Sequence, residues 1–591
     1  MIDKNDISNF FDLEADASKK SWEALMKLSV KDRIRKRKTI SGIYLDKEDL
    51  GMSPEDEWLL KLTFSTNLSD FKEGECLILH KEEYTSGIKC TVNTFADDNT
   101  IIVSVFPPNM PTDLDSYYGV PLLLDKDWVD LRQHVYYPFL SHLPLDKKYW
   151  EDNILNAKST PIYEDEDKNE EELQDTIKNF KLDLTDKQHE AIVKSMSTKD
   201  YYLVQGPPGT GKSFVLSLII LEEILYFEHK VIVIGPNHMA INNTLEAVAK
   251  AMPDSIGQII KVGQSYNAPA LEIIRGEEFV KIFNTQKASR CTYGDTPISQ
   301  CDDPLIIGMT PHSLYTSRGR EMRCDTLVID EAGQMTIPLA LMGMLKAEKV
   351  IFAGDYKQLP PIVSSDEVKD EMRQSVFQKL ITDDNCTMLD ISFRMCEPIC
   401  NYVSDLFYGG KVKAKKKGCG NTVICSDFQY SFESPIVINN IEDDGEQTSD
   451  KEAEFITELI NTYIKKYNLP PTEIAVLSPF RAQAANIRRH IRKCESIDKS
   501  QWQQITVDTV DKMQGQEREV IIFSMTAGNT DYIADMAEFL YNPNKLNVAF
   551  SRAKSKLIIV GNINRIKKIN ENDFPHIKKM IDSDLALYVE N

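Results

Sequence analysis

The segment QGPPGTGKS (residues 205–213) places two glycines, a lysine and a serine at the spacing G-x-x-x-x-G-K-[ST]. It follows the apolar run YYLV and precedes the apolar run FVLSLII, which predicts a tight loop between a strand and a helix. The amides of such a loop and of the helix start bind phosphate oxygens. Lys212 would contact the β- and γ-phosphates, and Ser213 would offer a hydroxyl to Mg²⁺. The alternative is a glycine turn with an incidental lysine, which the flanking elements disfavour.

The segment LVIDEAGQ (residues 327–334) puts two carboxylates, Asp330 and Glu331, directly after three apolar residues. Two negative charges at the rim of a sheet are costly unless a cation lies between them. With a phosphate-binding loop upstream, we expect Asp330 to hold Mg²⁺ on a triphosphate, directly or through water. Glu331 would orient or deprotonate the water that attacks the γ-phosphorus. A surface acidic pair is the alternative.

Alternating strand-like and helical segments position these residues. Buried runs such as KVIVIGPN, DTLVIDEA and KVIFAGD recur from about 181 to 365, and runs such as TMLDISF, EIAVLSPF and KLIIVGN recur from about 387 to 570. This pattern predicts an α/β protein with two tandem doubly wound parallel-sheet domains. Closely spaced apolar runs between residues 57 and 106, separated by turn signals, predict a small β-barrel before them.

Composition limits the class of protein. The 591 residues allow three or four domains, and a hydrophobic fraction of 42% allows large cores. A net charge of -22 argues against indiscriminate binding to nucleic acid or anionic membranes, but it permits a local basic groove. The eleven cysteines lack paired CxxC spacing, and the acidic amino terminus lacks an apolar core. We therefore expect a soluble cytoplasmic protein with reduced thiols and no membrane partner.

Further motifs stand in order along the chain. IFAGDYKQLPP (351–361) follows a strand-like run, and NVAFSRAK (547–554) precedes a run in the second predicted sheet. Together with DEAGQ they resemble motifs of superfamily 1 helicases, most closely the branch containing the nonsense-mediated mRNA decay helicase, senataxin and the immunoglobulin-mu-binding helicase. The resemblance runs from about 182 to 562. It implies an ATP- and Mg²⁺-dependent enzyme that moves 5′-to-3′ on single-stranded DNA or RNA.

The resemblance and the phosphate loop together imply an ATP site. Gln188 in LTDKQHEAI would read the adenine edge, and Glu517 would contact the ribose. Gln358 would sense the γ-phosphate, while Arg394 of SFRM and Arg552 of SRAK would stabilise transition-state charge from the second domain. The predicted catalytic residues are Lys212, Glu331, Gln358, Arg394 and Arg552. The predicted nucleotide- and metal-binding residues are Gln188, Gly206, Pro207, Pro208, Gly209, Thr210, Gly211, Lys212, Ser213, Asp330, Gln514, Gly515 and Glu517.

The resemblance also implies a path for nucleic acid. GPNH replaces the family's usual Ala-Pro-Ser-Asn, and SFRM replaces Gln-Tyr-Arg-Met, so these contacts depart from the family pattern. The predicted nucleic-acid contacts are Pro236, Asn237, Thr310, Ser478, Pro479 and Thr509.

With the resemblance, the predicted architecture is two RecA-like domains behind a small β-barrel and a helical stalk. The predicted segments are a stalk at 1–56, a barrel at 57–110, a return stalk and acidic linker at 111–180, and RecA-like domains at 181–365 and 366–591. The basic stretch KDRIRKRK (31–38) is most simply a solvated face, with nucleic-acid contact as the alternative.

Other classes of ATPase fit less well. A transporter-type ATPase would carry an LSGGQ-like signature, and a hexameric unfoldase would follow its P-loop domain with a small helical lid. The main alternative is a nucleotide-switched scaffold or ribonucleoprotein remodeller with little processive unwinding. A protein partner bound through residues 1–180 is a further possibility in either case.

Overall fold

The structure is a computed structural model of the chain. It describes all residues except 1, 54–55, 68, 72–73, 82, 98, 144–154, 157–159, 252–258, 263–279, 284–291, 294–295, 299, 302, 317–318, 416–433, 514, 570–573 and 591. Apolar cores fill the barrel and cover both faces of two parallel sheets. The predicted α/β class, with an N-terminal barrel before two parallel-sheet domains, is confirmed.

The amino-terminal region is a stalk that carries a barrel. The stalk helices are α1 Lys4–Met26 and α2 Val30–Arg35, followed after the barrel by α3 Tyr137–His142 and α4 Glu166–Phe180. The strands β1 Thr39–Leu45, β2 Trp58–Thr63, β3 Cys76–His80, β4 Ile88–Asp97, β5 Thr100–Val105 and β6 Leu122–Lys126 close in the order β1-β2-β5-β4-β3-β6. The barrel exceeds the predicted 57–110 because β1 and β6 pair with each other and complete it, with Ile40 opposite Leu124.

A buried ion pair fastens the barrel to the stalk. The Arg33 guanidinium donates to both carboxylate oxygens of Asp125, from Nε at 2.9 Å and from Nη2 at 3.1 Å. His80 Nε2 lies 2.8 Å from the same carboxylate. Removing one partner of such a buried pair costs about 3–5 kcal/mol. Within the basic stretch 31–38, Arg33 is therefore a structural residue.

The first sheet is parallel, in the order β10-β9-β13-β8-β14-β15-β7-β16. Its strands are β7 Tyr201–Gln205, β8 Val231–Ile234, β9 Ile259–Val262, β10 Val280–Phe283, β13 Ile306–Gly308, β14 Cys324–Ile329, β15 Ala347–Gly354 and β16 Cys386–Met388, with a separate ribbon of β11 Thr292–Tyr293 and β12 Thr296–Pro297. The helices are α5 Asp186–Ser197, α6 Lys212–Leu225, α7 His238–Ala251, α8 Ile337–Met344, α9 Asp370–Arg373 and α10 Val376–Leu380. The run TMLDISF, expected in the second sheet, supplies edge strand β16 of the first, because it pairs with β7.

The second sheet is also parallel, in the order β21-β20-β22-β23-β19-β24. Its strands are β19 Ile436–Asn440, β20 Ile474–Ser478, β21 Thr506–Thr509, β22 Arg518–Ser524, β23 Ala553–Gly561 and β24 Leu587–Glu590, preceded by the small pair β17 Ile391–Ser392 and β18 Lys413–Ala414. The helices are α11 Glu397–Phe407, α12 Asp450–Lys465, α13 Arg481–Lys493, α14 Lys499–Trp502, α15 Thr530–Leu540, α16 Pro543–Phe550, α17 Ile563–Ile569 and α18 Pro575–Ile581.

The structure bears on two expectations from composition, those about membrane-spanning helices and about reduced cysteines. Among the described helices, none has the length and apolar character needed to cross a membrane. Reduced thiols are found at several described cysteines, including Cys400. The expectation is wrong at Cys396, which is disulfide-bonded.

Candidate active site

A cleft of about 390 Å³ opens where the carboxyl ends of β7, β14 and β15 face the second sheet. The first domain contributes the loop 206–213 and the side chains of Glu331 and Gln358, and the second contributes Arg394, Glu517 and Arg552. Most residues of the predicted ATP site are therefore brought together. Phe214, Asn243 and Phe393 also line the cleft and were not predicted.

The phosphate loop packs against the second domain at a point where only glycine fits. Gly209 has a positive φ of 73°, and a side-chain carbon there would lie 2.5 Å from Cβ of Arg394. The Gly209 carbonyl accepts from the Phe393 amide at 2.7 Å, and the Pro208 carbonyl accepts from the Ser392 hydroxyl at 2.9 Å. The segment SFRM thus holds the loop through one backbone amide, that of Phe393, and one side chain, that of Ser392.

Lys212 is the cation that contacts the adjacent carboxylates. Its ammonium donates to Asp330 and, at 2.9 Å, to Oε1 of Glu331. Burial opposes the charged form, but these two carboxylates outweigh it and hold the pKa of Lys212 above its usual value. In this structure the ammonium bridges the two carboxylates, and the Mg²⁺ expected at this pair stays a prediction.

Asp330 and Glu331 have different surroundings. Asp330 is buried, and its Oδ2 accepts from the Thr244 hydroxyl at 2.7 Å. Glu331 is partly exposed to the cleft, and its Oε2 accepts from the Gln334 amide at 2.8 Å. Although burial works against its charge, Lys212 holds the pKa of Glu331 below its usual value. Glu331 also has a positive φ of 54°, a conformation that is costly for a non-glycine residue and concentrates at functional sites.

Two arginines reach the cleft from the second domain. The Arg394 guanidinium pairs with the Glu517 carboxylate. Arg552 is 3% exposed and donates to carbonyl oxygens and to Gln358 Oε1, at 3.2 Å for the latter, but it forms no ion pair with any carboxylate in the described part of the chain. Burial, and then the nearby Arg394 charge, lower the pKa of Arg552 to about 9. It is therefore a buried cation that an anionic group in the cleft would stabilise.

A buried hydrogen-bond network joins the two domains behind the cleft. The Asp355 carboxylate accepts from Tyr408 Oη at 2.5 Å and from Gln358 Nε2 at 2.9 Å. Tyr408 Oη in turn accepts from Asn547 Nδ2 at 2.7 Å. Burial raises the pKa of Asp355 despite these donors, and burial together with Asp355 raises that of Tyr408. Sequence reasoning missed Tyr408 and Asn547, since no local pattern brings residues 355, 408 and 547 together.

Family models and related proteins identify the family of the chain. Models described as an AAA domain match residues 183–293 with 298–366, and residues 372–564. An uncharacterized ATP-dependent helicase of Methanocaldococcus jannaschii is 27% identical over 66% of this chain and 69% of its own length. The chain belongs to the superfamily 1 helicases. The helicase is thus an ATP hydrolase of the nucleic-acid helicase class.

Other relatives of the helicase are matched over less of their own length. The DNA replication ATP-dependent helicase/nuclease of Mus musculus is 26% identical over 69% of this chain but only 39% of its own length. The DNA polymerase alpha-associated DNA helicase A of Schizosaccharomyces pombe is 26% identical over 67% of this chain and 66% of its own length. The chain therefore spans about two fifths of the mouse protein that it matches.

Gln188 lies beneath the phosphate loop of the helicase. Its Nε2 donates to the Thr210 carbonyl at 3.0 Å, and its Oε1 accepts from the Thr185 amide at 3.0 Å. The side chain therefore caps α5 and supports the loop, while a contact with adenine stays a prediction. Gly515 lines the cleft, and Gln514 lies outside the described residues.

The predicted nucleic-acid contacts of the helicase follow the carboxyl ends of strands. Pro236 and Asn237 come after β8, Thr310 after β13, Ser478 and Pro479 at the end of β20, and Thr509 at the end of β21. Loops at this edge of parallel sheets are the usual place for ligands. Three of these side chains form hydrogen bonds within the protein. Asn237 Oδ1 accepts from the Ala240 amide at 3.0 Å, the Thr310 hydroxyl lies 2.9 Å from that of Ser313, and the buried Ser478 hydroxyl lies 3.0 Å from that of Thr526.

Proposed function

We propose that the helicase moves along single-stranded nucleic acid by coupling ATP hydrolysis to closure of its two RecA-like domains. One observation carries this proposal: the cleft combines Lys212 and Glu331 of the first domain with Arg394 and Arg552 of the second. Hydrolysis in such a cleft depends on the relative position of the two domains. The groups that stabilise the transition-state charge on the γ-phosphoryl oxygens come from both domains.

The proposed chemistry assigns one task to each side chain. Lys212 leaves its carboxylate partners to contact the β- and γ-phosphates. Glu331, anionic at neutral pH, orients the attacking water and accepts its proton. Arg394 and Arg552 stabilise the charge that spreads over the transferred phosphoryl group.

The donor set around the loop suits Mg²⁺. Ser213 lines the cleft, and the Asp330 carboxylate contacts Lys212. Mg²⁺ prefers oxygen ligands and is usually held by one or two protein groups together with substrate phosphates. We assign Ser213 and Asp330 to this role, in which the bound ion would neutralise phosphate charge.

We further propose that the network behind the cleft transmits nucleotide state between domains. Gln358 contacts Arg552 through Oε1 and Asp355 through Nε2, so one amide touches both the cleft and the network. Movement of Gln358 toward a γ-phosphate would change the Asp355 contact and hence its bond to Tyr408. Tyr408 is accordingly a positioning residue.

Tyr408→Phe should lower strand-stimulated ATP turnover by about tenfold while leaving nucleotide affinity unchanged, because it removes the bond that crosses the domains. ATPase assays with saturating single strand, and nucleotide titrations, measure the two effects. Tyr402→Phe is a matched control: it also removes a buried hydroxyl, on α11, but that hydroxyl donates to the Met580 carbonyl at 2.9 Å, away from the interface. Equal losses of turnover in both variants would contradict a coupling role.

We propose 5′-to-3′ movement, which the motif resemblance supports. A duplex with a 5′ single-stranded tail should be opened in the presence of ATP, while the same duplex with a 3′ tail should stay paired. Strand separation on a gel or by fluorescence measures this, with a blunt duplex as control. Preferential opening of the 3′-tailed duplex would contradict the assigned direction. A protein partner at residues 1–180 and a cytoplasmic location stay predictions.

A further inference from the structure

A carboxyl group is fully buried in the second domain, outside the ATP cleft. Glu452 lies in the first turn of α12 and is 0% exposed. Its Oε2 accepts from the Ser524 hydroxyl at 2.6 Å and from the Thr526 amide at 3.2 Å. Its Oε1 has no hydrogen-bond partner among the described residues. A buried carboxyl group with an unsatisfied oxygen destabilises a fold, and groups of this kind concentrate at functional sites.

No cation neutralises Glu452 in the described part of the chain. The cations on the adjoining helices contact other groups: Arg489 and His490 of α13 pair with Asp450, the Lys451 ammonium of α12 donates to the Glu442 carbonyl, and Arg565 of α17 pairs with Asp444. The loop before α12 adds a second negative charge, that of Asp443. The surroundings of Glu452 therefore disfavour a carboxylate and favour the protonated acid.

The protonation of Glu452 reflects these surroundings. Burial raises the pKa of Glu452 to about 8, although the hydrogen bonds from Ser524 and Thr526 act in the opposite direction, and the charge of Asp443 adds to the rise. Below this value the side chain is a neutral acid. Above it the side chain becomes an uncompensated buried carboxylate, which is the costly state.

Glu452 connects the loops that follow two strands of the second sheet. Ser524 ends β22, and Thr526 lies two residues later. The Thr526 hydroxyl lies 3.0 Å from that of Ser478, which ends the neighbouring strand β20. Ser478 is one of the predicted nucleic-acid contacts, at the edge of the sheet where ligands usually bind. A single residue, Thr526, thus separates the acid from that contact.

The backbone at Thr526 is strained. Its φ is 72°, and among the described residues it is the only β-branched residue with a positive φ. This conformation is costly for a β-branched residue and persists only where the surroundings fix it. Glu452 helps to fix it, because the Thr526 amide donates to the carboxyl group. A rearrangement of Glu452 would let this loop relax and would move the hydroxyl that contacts Ser478.

Gln483 and Ser449 hold the acid from the helix side. The Gln483 amide donates to the Ser524 hydroxyl at 3.1 Å and to the Ser449 carbonyl at 3.2 Å. The Ser449 hydroxyl caps α12 and accepts from the Glu452 amide at 3.0 Å. The network therefore spans α12, α13 and both loops, so an added charge at Glu452 acts on all of them.

We propose that Glu452 is a positioning residue that, in its protonated form, holds the loops after β20 and β22 in the arrangement that binds single-stranded nucleic acid. Loss of the proton creates a negative charge beneath the phosphates of the strand and disturbs that arrangement. Strand affinity therefore falls as the pH rises. The inference deepens the proposed function and rests on it.

The test compares the full-length wild-type protein with its Glu452→Gln variant in nucleotide-free titrations of a fluorescent single strand, from about pH 7 to about pH 9.5. Glutamine is neutral at every pH and can still accept the Thr526 amide. At the lower pH the two proteins should bind within about twofold of each other. At the higher pH the wild-type protein should lose about tenfold in affinity, and the variant less than about threefold. Nucleotide is omitted because Arg552, with a pKa of about 9, titrates in the same range.

Glu222→Gln is the matched control. Glu222 on α6 of the first domain is also a buried carboxyl group, 4% exposed, and burial raises its pKa. Its substitution should leave the pH dependence of strand binding as in the wild-type protein. Equal pH dependence in the wild-type protein and in Glu452→Gln would overturn the proposal, because Glu452 would then only stabilise the fold.

Thermal unfolding tests the proton on Glu452 without any strand. Relative to Glu452→Gln, the wild-type protein should lose stability as the pH rises from 4.5, the ordinary pKa of glutamate, to about 8. The difference should stay constant at higher pH, because the side chain is then ionised in both the folded and the unfolded state. A difference that does not change with pH would contradict a buried neutral acid.

Ser524→Ala provides a second variant in case Glu452→Gln does not fold. The Ser524 hydroxyl favours the carboxylate, so its removal should raise the pH at which strand affinity falls. An unchanged or lower value would contradict the proposal. A wild-type protein that binds no strand at any pH would contradict the proposed function itself, whereas a pH-independent affinity in a protein that does bind would contradict only the role of Glu452.

Discussion

Replacing Glu331 with glutamine is expected to lower ATP turnover by about a thousandfold while leaving ATP binding intact. The side chain keeps its shape and can still accept the Gln334 amide, which lies 2.8 Å away. It loses the negative charge that orients water and accepts a proton. Lys212 is also released from one of its two carboxylate partners, so ATP affinity should stay the same or rise slightly.

Single-turnover hydrolysis and equilibrium binding of a fluorescent ATP analogue separate these effects. Glu348→Gln is a suitable control, because it neutralises an exposed carboxylate on the same sheet, outside the cleft. If the Glu331→Gln variant hydrolysed ATP within a few-fold of the wild-type rate, Glu331 would not activate the attacking water. Its strained backbone conformation would then have no catalytic explanation.

Arg552→Ala is expected to lower turnover by about a thousandfold and to change nucleotide affinity by less than about tenfold, as for a transition-state contact. Arg394→Ala should behave similarly. A second readout distinguishes Arg552 from a structural arginine. Its buried guanidinium donates to carbonyl oxygens but has no carboxylate partner in the described part of the chain, so its removal loses hydrogen bonds without leaving a buried carboxylate unpaired and should lower the melting temperature of the nucleotide-free protein only slightly.

Arg552→Lys should recover little of the lost turnover, because a single ammonium cannot reproduce the planar fork of the guanidinium. Arg489→Ala, which removes an exposed arginine of the second domain, serves as the control. A large drop in melting temperature for Arg552→Ala, together with equal losses of binding and turnover, would instead make Arg552 a residue that holds the fold.

The residues of the candidate ATP site could be proposed from the sequence because each of its motifs is short and continuous. Lys212 and Ser213 belong to one short motif, and Asp330 and Glu331 are adjacent. The role of each pair can therefore be inferred from a few consecutive residues. The network around Asp355 could not be predicted in this way. Its bond to Tyr408 spans 53 positions, and that from Tyr408 to Asn547 spans 139.

The amino-terminal region shows the same limit. The basic stretch 31–38 appears uniform in sequence, yet Arg33 is buried and Arg37 is exposed. The difference depends on Asp125, 92 positions away, which only the folded barrel brings into contact. The barrel boundaries were missed for the same reason, since β1 pairs with β6, a strand that is distant from it in the sequence.

The placement of β16 in the first sheet has a mechanical consequence. The chain crosses to the second domain directly after β16, where the Phe393 amide is bound to the phosphate loop and the Cys396 amide to the Lys554 carbonyl on β23. We therefore expect the pivot between the domains to lie beside the phosphate-binding loop. Ser478 on β20 and Thr509 on β21 lie two and three strands away from β23, about 10 and 14 Å at the usual strand spacing. A rotation too small to separate the arginines from bound phosphates would thus produce a larger displacement at Ser478 and Thr509, the predicted nucleic-acid contacts.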